Sequence, residues 1–257
     1  HLLDHTSGFR DFLVSRARDL AVRADPTLPW TPAMALAYAG RPLAAPGVGY
    51  HYANTNYVLL GLIVEGITGR SLAAEYRARF FEPLALTSAS YQGVEPPVAT
   101  LPTAYRYSSG ALDAMPQDVT DGTEVRPFTA VTTAAGAAGS VAASAPDLAR
   151  WAAALYGGDI LPPADIAAMV DDAGRTAALK PGSPYGLGVQ VYTIDGRVSY
   201  GHSGRLVVAR SVVRWFPDEG IAITVVTNQS RFDPQSILRD LFAVVAPESV
   251  GGHPRQG

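Results

Sequence analysis

The sequence has no cysteine, and that absence removes disulfides, thiol nucleophiles, iron-sulfur clusters and Cys-ligated zinc at once. It is almost as poor in lysine: of 20 basic residues only Lys180 is Lys, and all the others are Arg. Because arginine stays protonated at any working pH, the chain holds a single side-chain amine able to act as a base. Charged residues are scarce, 17% of the total, and the two signs are interspersed, as in Arg10, Asp11, Arg16, Arg18, Asp19, Arg23 and Asp25. A net charge of -3 with no basic stripe offers nothing to a phosphate backbone, so no nucleic-acid partner is expected. Of five His only His1 and His5 are four apart, and Leu2 stands where H-E-x-x-H has its Glu, so no metal site is expected. Asp171 and Asp172 do not make a glycosidase pair, since adjacent residues on a helix do not face one another. The longest uncharged stretch, Pro127 to Pro146, is mostly Ala, Thr, Gly and Ser bounded by Pro, which inserts poorly into a bilayer, so no membrane span is expected.

What is present is 257 residues, 47% of them hydrophobic, enough for a core that needs no staples. At ~150 residues per domain this is one large domain or a body with a lobe. Apolar spacing from Phe9 to Ala24 predicts a helix. Thr31-Pro32 predicts the start of a short one that Gly40 ends, and Tyr57 to Gly69 reads as a buried helix. Ser71 caps a helix to about Phe81. Residues 88–135 show no sustained period and are expected to be loops and short strands. Ser144 opens a helix to Tyr156, and Asp165 to Asp171 makes another. After Lys180 the character changes. Tyr185 to Ile194, Arg197 to Gly201, Leu206 to Phe216 and Ile221 to Thr227 are β-branched or aromatic runs, the first two joined by Asp195-Gly196, a strong hairpin signal. Asp233-Pro234 caps a last helix to about Ala246, and the tail after Pro247 is expected to be loose. The pattern is α+β: a helical, loop-rich lobe over 1–180, then an antiparallel meander and helix over 181–257, in one structural unit.

Three segments stand out for chemistry: His1-Leu2-Leu3-Asp4-His5-Thr6-Ser7-Gly8, Tyr52-Ala53-Asn54, and Gly201-His202-Ser203-Gly204 between two expected strands. Singly each is weak. Tyr-x-Asn before a helix is more often a cap, a lone His in a strand is more often structural, and His5 with Ser7 reads as a loop-fixing pair. In this order and with this meander, the chain resembles the penicillin-recognising serine hydrolases. That family comprises class C β-lactamases, D-alanyl-D-alanine carboxypeptidases and related esterases. His1 to Gly8 resembles its H-L-L-x-H-T-S-G segment, Tyr52 to Arg70 its Y-x-N loop and following helix, and Tyr185-Gly186-Leu187-Gly188 the entry to its sheet.

The resemblance implies a β-lactamase/transpeptidase-like fold, here incomplete at the N-terminus, and a serine hydrolase acting through an acyl-enzyme without a cofactor. In such enzymes Ser attacks an acyl carbonyl, activated by Lys in S-x-x-K. Tyr52 would move a proton between nucleophile and leaving group, as a phenolate or as a hydroxyl polarised by the helix N-terminus, and Asn54 would hold the substrate amide. His202, Ser203 and Gly204 would meet the substrate carboxylate, and the backbone N–H of Arg205 would be one oxyanion donor. Ideal pleating, however, points His202 and Ser203 to opposite faces. The substrate would be a small acyl-peptide, β-lactam or ester, and a secreted or periplasmic location is implied. One departure is decisive: Ala stands three residues before Lys180, so the chain has no S-x-x-K. The look-alikes Ser7 to Arg10, Ser15 to Arg18 and Ser211 to Arg214 end in Arg. The expectation is that the nucleophile lies on a segment preceding His1 and that these residues alone are inactive, the alternative being a nucleophile-less binding module.

Overall fold

The computed structural model describes residues 1–107 and 115–246. The first expected helix divides: a 3-10 turn at Phe12–Val14 is followed by α1, Arg16–Ala24, because the Ser15 hydroxyl accepts from Arg18 N and starts a new helix there. Helix α2, Pro32–Leu36, has the expected Thr31 cap but ends before Gly40. Helix α3, Asn54–Thr68, begins three residues earlier than its apolar run and closes on Gly69 with φ of 67°. Helix α4, Leu72–Tyr76, capped by Ser71, continues as a π-helical turn over Arg77–Phe81. Short strands follow: β1 (Ser90–Tyr91), β2 (Tyr105–Tyr107) and β3 (Pro116–Asp118).

Within the stretch expected to be loop, Thr129–Ala135 forms α5, and tertiary burial overrides its Thr and Val content. Six of its residues are buried, and Ala130, Val131 and Ala134 join Phe12, Val22, Trp30 and Val58 in the core of the lobe. Strand β4 (Val141–Ala142) pairs with β1, and β2 pairs with β3. Helix α6, Ala145–Gly157, is capped by Ser144 as expected. The short helix expected at Asp165 to Asp171 is instead α7, Pro163–Leu179. Its extension is anchored by Arg175, which bridges Asp172 on the same helix and the buried Asp4.

The C-terminal meander is antiparallel and consecutive: β5 (Gln190–Ile194), β6 (Arg197–Leu206), β7 (Ala209–Phe216) and β8 (Ile221–Thr227) lie side by side in that order. Asp195 and Gly196 form the β5–β6 turn, both with positive φ, 48° and 79°. Two boundaries differ from expectation. Strand β5 starts at Gln190 because Gly186 to Gly188 form a loop docked on α7, where Leu187 N donates to Met169 O at 2.9 Å. Strand β6 runs through His202 to Leu206 and turns at Val207-Val208, so the Gly-His-Ser-Gly segment is strand rather than connection. The apolar run Leu206 to Val208 disguised that turn.

Helix α8, Pro234–Val245, covers one face of the sheet, where Phe242 stacks on Phe216 at 4.0 Å and Leu238 packs with Val212, Ile223 and Val225. Each such buried side chain contributes about 1.5–3 kcal/mol. Helix α6 takes the other face, with Tyr156 against Tyr200 and Gly157 against Trp215. Among the described residues no single helix is long and apolar enough to cross a membrane. The tail after Pro247 lies outside the described residues.

Candidate active site

The three segments meet. An open cavity of about 890 Å³ between lobe and sheet is lined by Tyr52, Asn54, His202, Ser203, Gly204 and Arg205 together. The N-terminal segment does not line it; it braces the wall. His5 is fully buried, and its Nδ1 accepts from Ala53 N at 3.2 Å and from the Asn56 amide at 3.0 Å. Ser7 Oγ donates to Asn56 Oδ1 at 2.6 Å. Two donors on Nδ1 place the His5 proton on Nε2 and keep the ring neutral, and burial lowers its pKa to about 3. The ring lies 4.0 Å from that of Tyr52, so His5 sets both the start of α3 and the tyrosine before it.

Tyr52, 42% exposed, sits two residues ahead of α3 and lines the cavity. Partial burial, with Tyr57 and Asp11 nearby, raises its pKa to about 12. Of the two forms expected for it, this surrounding favours the hydroxyl, a proton donor at neutral pH. Asn54 Nδ2 donates to Asp11 Oδ2 at 2.9 Å, which fixes the amide and leaves its Oδ1 free of that bond.

On β6, Gly201 pairs with Gln190, the first residue of β5; beyond it, among the described residues, no strand pairs with 202–206 on that side. Leu206 and Ala209 close a two-residue hairpin, so the next pair inward, Arg205 with Arg210, is a non-hydrogen-bonded pair. Its outward N–H therefore faces the free edge, as an oxyanion donor must. Gly204 lies so close to Ser211 Oγ that a Cβ there would collide with it, and a Cβ on Gly201 would meet the Val213 carbonyl.

The pleat does separate His202 from Ser203. Registers put His202 opposite Val213 and Ser203 opposite Val212, on alternate faces, although both line the cavity as it passes the free edge. His202 is also fully engaged. Nδ1 donates to the Ser203 carbonyl at 2.7 Å, and Nε2 lies 3.1 Å from the Tyr185 hydroxyl. Burial, helped by the Arg214 charge, lowers its pKa, so the neutral ring accepts the Tyr185 proton at Nε2. Ser203 Oγ meets only the Gln190 side chain, at 3.3 Å, and that side chain in turn accepts from the buried Arg214 at 2.7 Å.

Sequence reasoning did not single out Tyr185, Gln190 or Arg210 as site residues. Tyr185 and Gln190 act through contacts that only the loop before β5 creates, and Arg210 depends on the position of the hairpin turn. No Ser lies one helical turn from a Lys. Ser7 and Ser15 are taken up in loop and cap bonds, and Lys180 sits over the Tyr50 ring at 5.8 Å. Among the described residues no group of three His, Asp or Glu could hold a metal ion.

A family model described as Beta-lactamase matches residues 1–246. Penicillin-binding protein 4 of Amycolatopsis lactamdurans is 27% identical over 263 residues, a match covering 97% of this chain and 64% of that protein. The chain thus spans less than two thirds of that relative. A D-stereospecific amidohydrolase from Streptomyces sp. is similar in structure with a TM-score of 0.76 and 28% identity, over 94% of this chain and 70% of the other. An octameric penicillin-binding protein homologue from Pyrococcus abyssi gives 0.74 and 26%, over 95% and 55%. D-amino acid amidase from Ochrobactrum anthropi SV3, at 0.72 and 24% over 95% and 71%, shares the fold.

Proposed function

This chain belongs to the beta-lactamase family, and from that premise we propose that it carries the substrate cleft of a serine hydrolase that cleaves amide bonds through an acyl-enzyme. The substrate class is an acyl-D-alanyl-D-alanine peptide or a β-lactam. The carrying observation is the convergence of Tyr52, Asn54 and the 202–205 stretch of β6 on one cavity. That relatives include a penicillin-binding protein and a D-stereospecific amidohydrolase favours an amide over an ester.

In this reading Ser and Lys of an S-x-x-K helix come from a segment outside these 257 residues, and the chain alone does not acylate. The Ser oxygen attacks the scissile carbonyl, and the oxyanion that forms is met by the outward N–H of Arg205. Asn54 Oδ1 accepts from a substrate amide N–H. Tyr52, protonated at neutral pH, gives its proton to the leaving amine, which departs as the acyl-enzyme forms. Water then releases the acid. The proton that the Lys of S-x-x-K takes from the attacking Ser passes on to the Tyr52 oxygen and restores its hydroxyl before the next turnover.

The test is release of D-alanine from N-acetyl-D-alanyl-D-alanine by the protein carrying an S-x-x-K segment, with Tyr52→Phe as control. A fall in kcat of about 10² to 10⁴ with unchanged folding is expected. Near-normal rates in the variant would move the proton donor elsewhere. Ester turnover without peptide turnover would favour the esterase, and binding without turnover the binding module.

A further inference from the structure

A second cavity, of about 390 Å³, lies between α1, the segment after β3, the start of α5 and the β6–β7 turn. It shares no lining residue with the substrate cleft, although Leu206 lines the cleft and its neighbour Val207 lines this cavity. The wall is mostly apolar. Val22, Phe128, Val131 and Val207 line it, all of them belonging to or packed on the core of the lobe.

Set into that wall is the guanidinium of Arg18, on α1. The residue is only 6% exposed, and its Nε and Nη2 are buried with no hydrogen-bond partner among the described residues. A long stem that merely covered the core would keep its charged head in water. Here the head is the buried part. Donors left unmet and a charge buried unpaired both cost stability, and burial lowers the pKa of this group, with Asp19 and Asp11 only partly opposing it.

The nearby carboxylates are committed elsewhere. Asp11 accepts from Leu13 N and from Asn54, and Asp19 is paired with Arg23. Asp121, the other acid lining the cavity, accepts from Thr123 through one oxygen and from Thr129 N through the other. Arg106 of β2 lines the cavity as well, and among the described residues neither it nor Arg18 takes part in an ion pair. Nε and Nη2 stand on one edge of the planar guanidinium, the edge that takes both oxygens of an oxyanion side-on. An apolar hollow with one such polar anchor has the make-up of a small-molecule site.

We propose that this cavity is an accessory binding site for a small organic carboxylate with an apolar body. The carboxylate lies side-on against the Nε–Nη2 edge of Arg18, within the field of Arg106, and the apolar body lies against Val22, Phe128, Val131 and Val207. The site stands apart from the hydrolase reading, since no residue of the cleft belongs to it.

The experiment is a nitrogen-15 NMR titration of the 257-residue chain with hexanoate, hexanol and inorganic phosphate, with thermal melting beside it. Hexanoate should bind with a Kd of about 1 mM or tighter and shift the amide signals of Val22, Thr120, Val131 and Val207. Hexanol lacks the charge and should bind at least about tenfold weaker; phosphate lacks the apolar body and should also bind more weakly than hexanoate. Hexanoate should raise the melting temperature of the parent. Arg18→Gln should abolish the preference for acid over alcohol, and Arg18→Lys, which keeps the charge and loses the planar edge, should cut it several-fold. Val119→Phe, at a half-buried position lining the cavity, should block hexanoate without altering any charge. Should Arg18→Gln fail to fold, Arg18→Lys and Val119→Phe decide. Equal binding of hexanoate and hexanol, no binding of hexanoate, or shifts confined to residues 202–205 of the cleft overturns the proposal. So does hexanoate affinity unchanged in either Arg18→Lys or Val119→Phe, or phosphate binding tighter than hexanoate at the same signals, which would mark a site for a bare inorganic oxyanion.

Discussion

Acidification should weaken this fold through His5. Its ring is fully buried, accepts two N–H donors at Nδ1 and has its pKa lowered from 6.5 to about 3, first by burial and then by His202. The unfolded chain exposes an ordinary imidazole. Above pH 6.5 both states are neutral and His5 adds no pH dependence. As pH falls below that value the unfolded state takes up a proton that the folded state refuses, so stability declines by about 1.4 kcal/mol per pH unit until the folded pKa is reached. Between pH 7 and pH 5 the loss works out at about 2 kcal/mol. His5→Asn keeps an acceptor near the Nδ1 position and cannot titrate. Urea unfolding of parent and variant at both pH values is the assay. The variant should start less stable at pH 7, from lost packing against Tyr52, and should lose about 2 kcal/mol less on acidification. His202, with its own lowered pKa, adds a loss of the same sign to both proteins and cancels in the comparison. An equal acid loss in both would refute the buried, neutral His5.

Nitrogen-15 spectra at pH 7 should show opposite tautomers, Nε2–H for His5 and Nδ1–H for His202; matching tautomers would contradict the hydrogen-bond assignments on which the site rests. Gly204→Ala should push Ser211 off its rotamer at a cost of about 1 kcal/mol, measured by denaturant unfolding. Ser211→Ala in the same chain should relieve most of that cost, and no relief would mean that the backbone, not Ser211 Oγ, sets the constraint.

The fold class was legible because its strongest signals are local. Asp195-Gly196, the Ser144 and Asp233 caps and the Gly69 stop each act within one turn of chain, and each stands where the sequence placed it. Helix α5 and the extension of α7 were not legible, since burial against Trp30 and Val58 and the bridge from Arg175 to Asp4 come from distant parts of the chain. The site divides in the same way. The family resemblance brought Tyr52, Asn54 and 202–205 together, and they do share a cavity. What the order could not reveal was the facing of each side chain. An apolar turn at Val207-Val208 hid the register that sets Arg205 against Arg210, whereas the pleat alone foretold the parting of His202 from Ser203.

The central claim is that these residues form the cleft of an acyl-enzyme hydrolase whose nucleophile they do not contain. Its most direct measurement is mass spectrometry after exposure to a fluorescent penicillin, run on the 257-residue chain and on a form extended by a segment that carries S-x-x-K. The account predicts no adduct on the shorter chain and one penicilloyl group on the Ser of S-x-x-K in the longer. A stoichiometric, stable adduct on any serine within these 257 residues would contradict it.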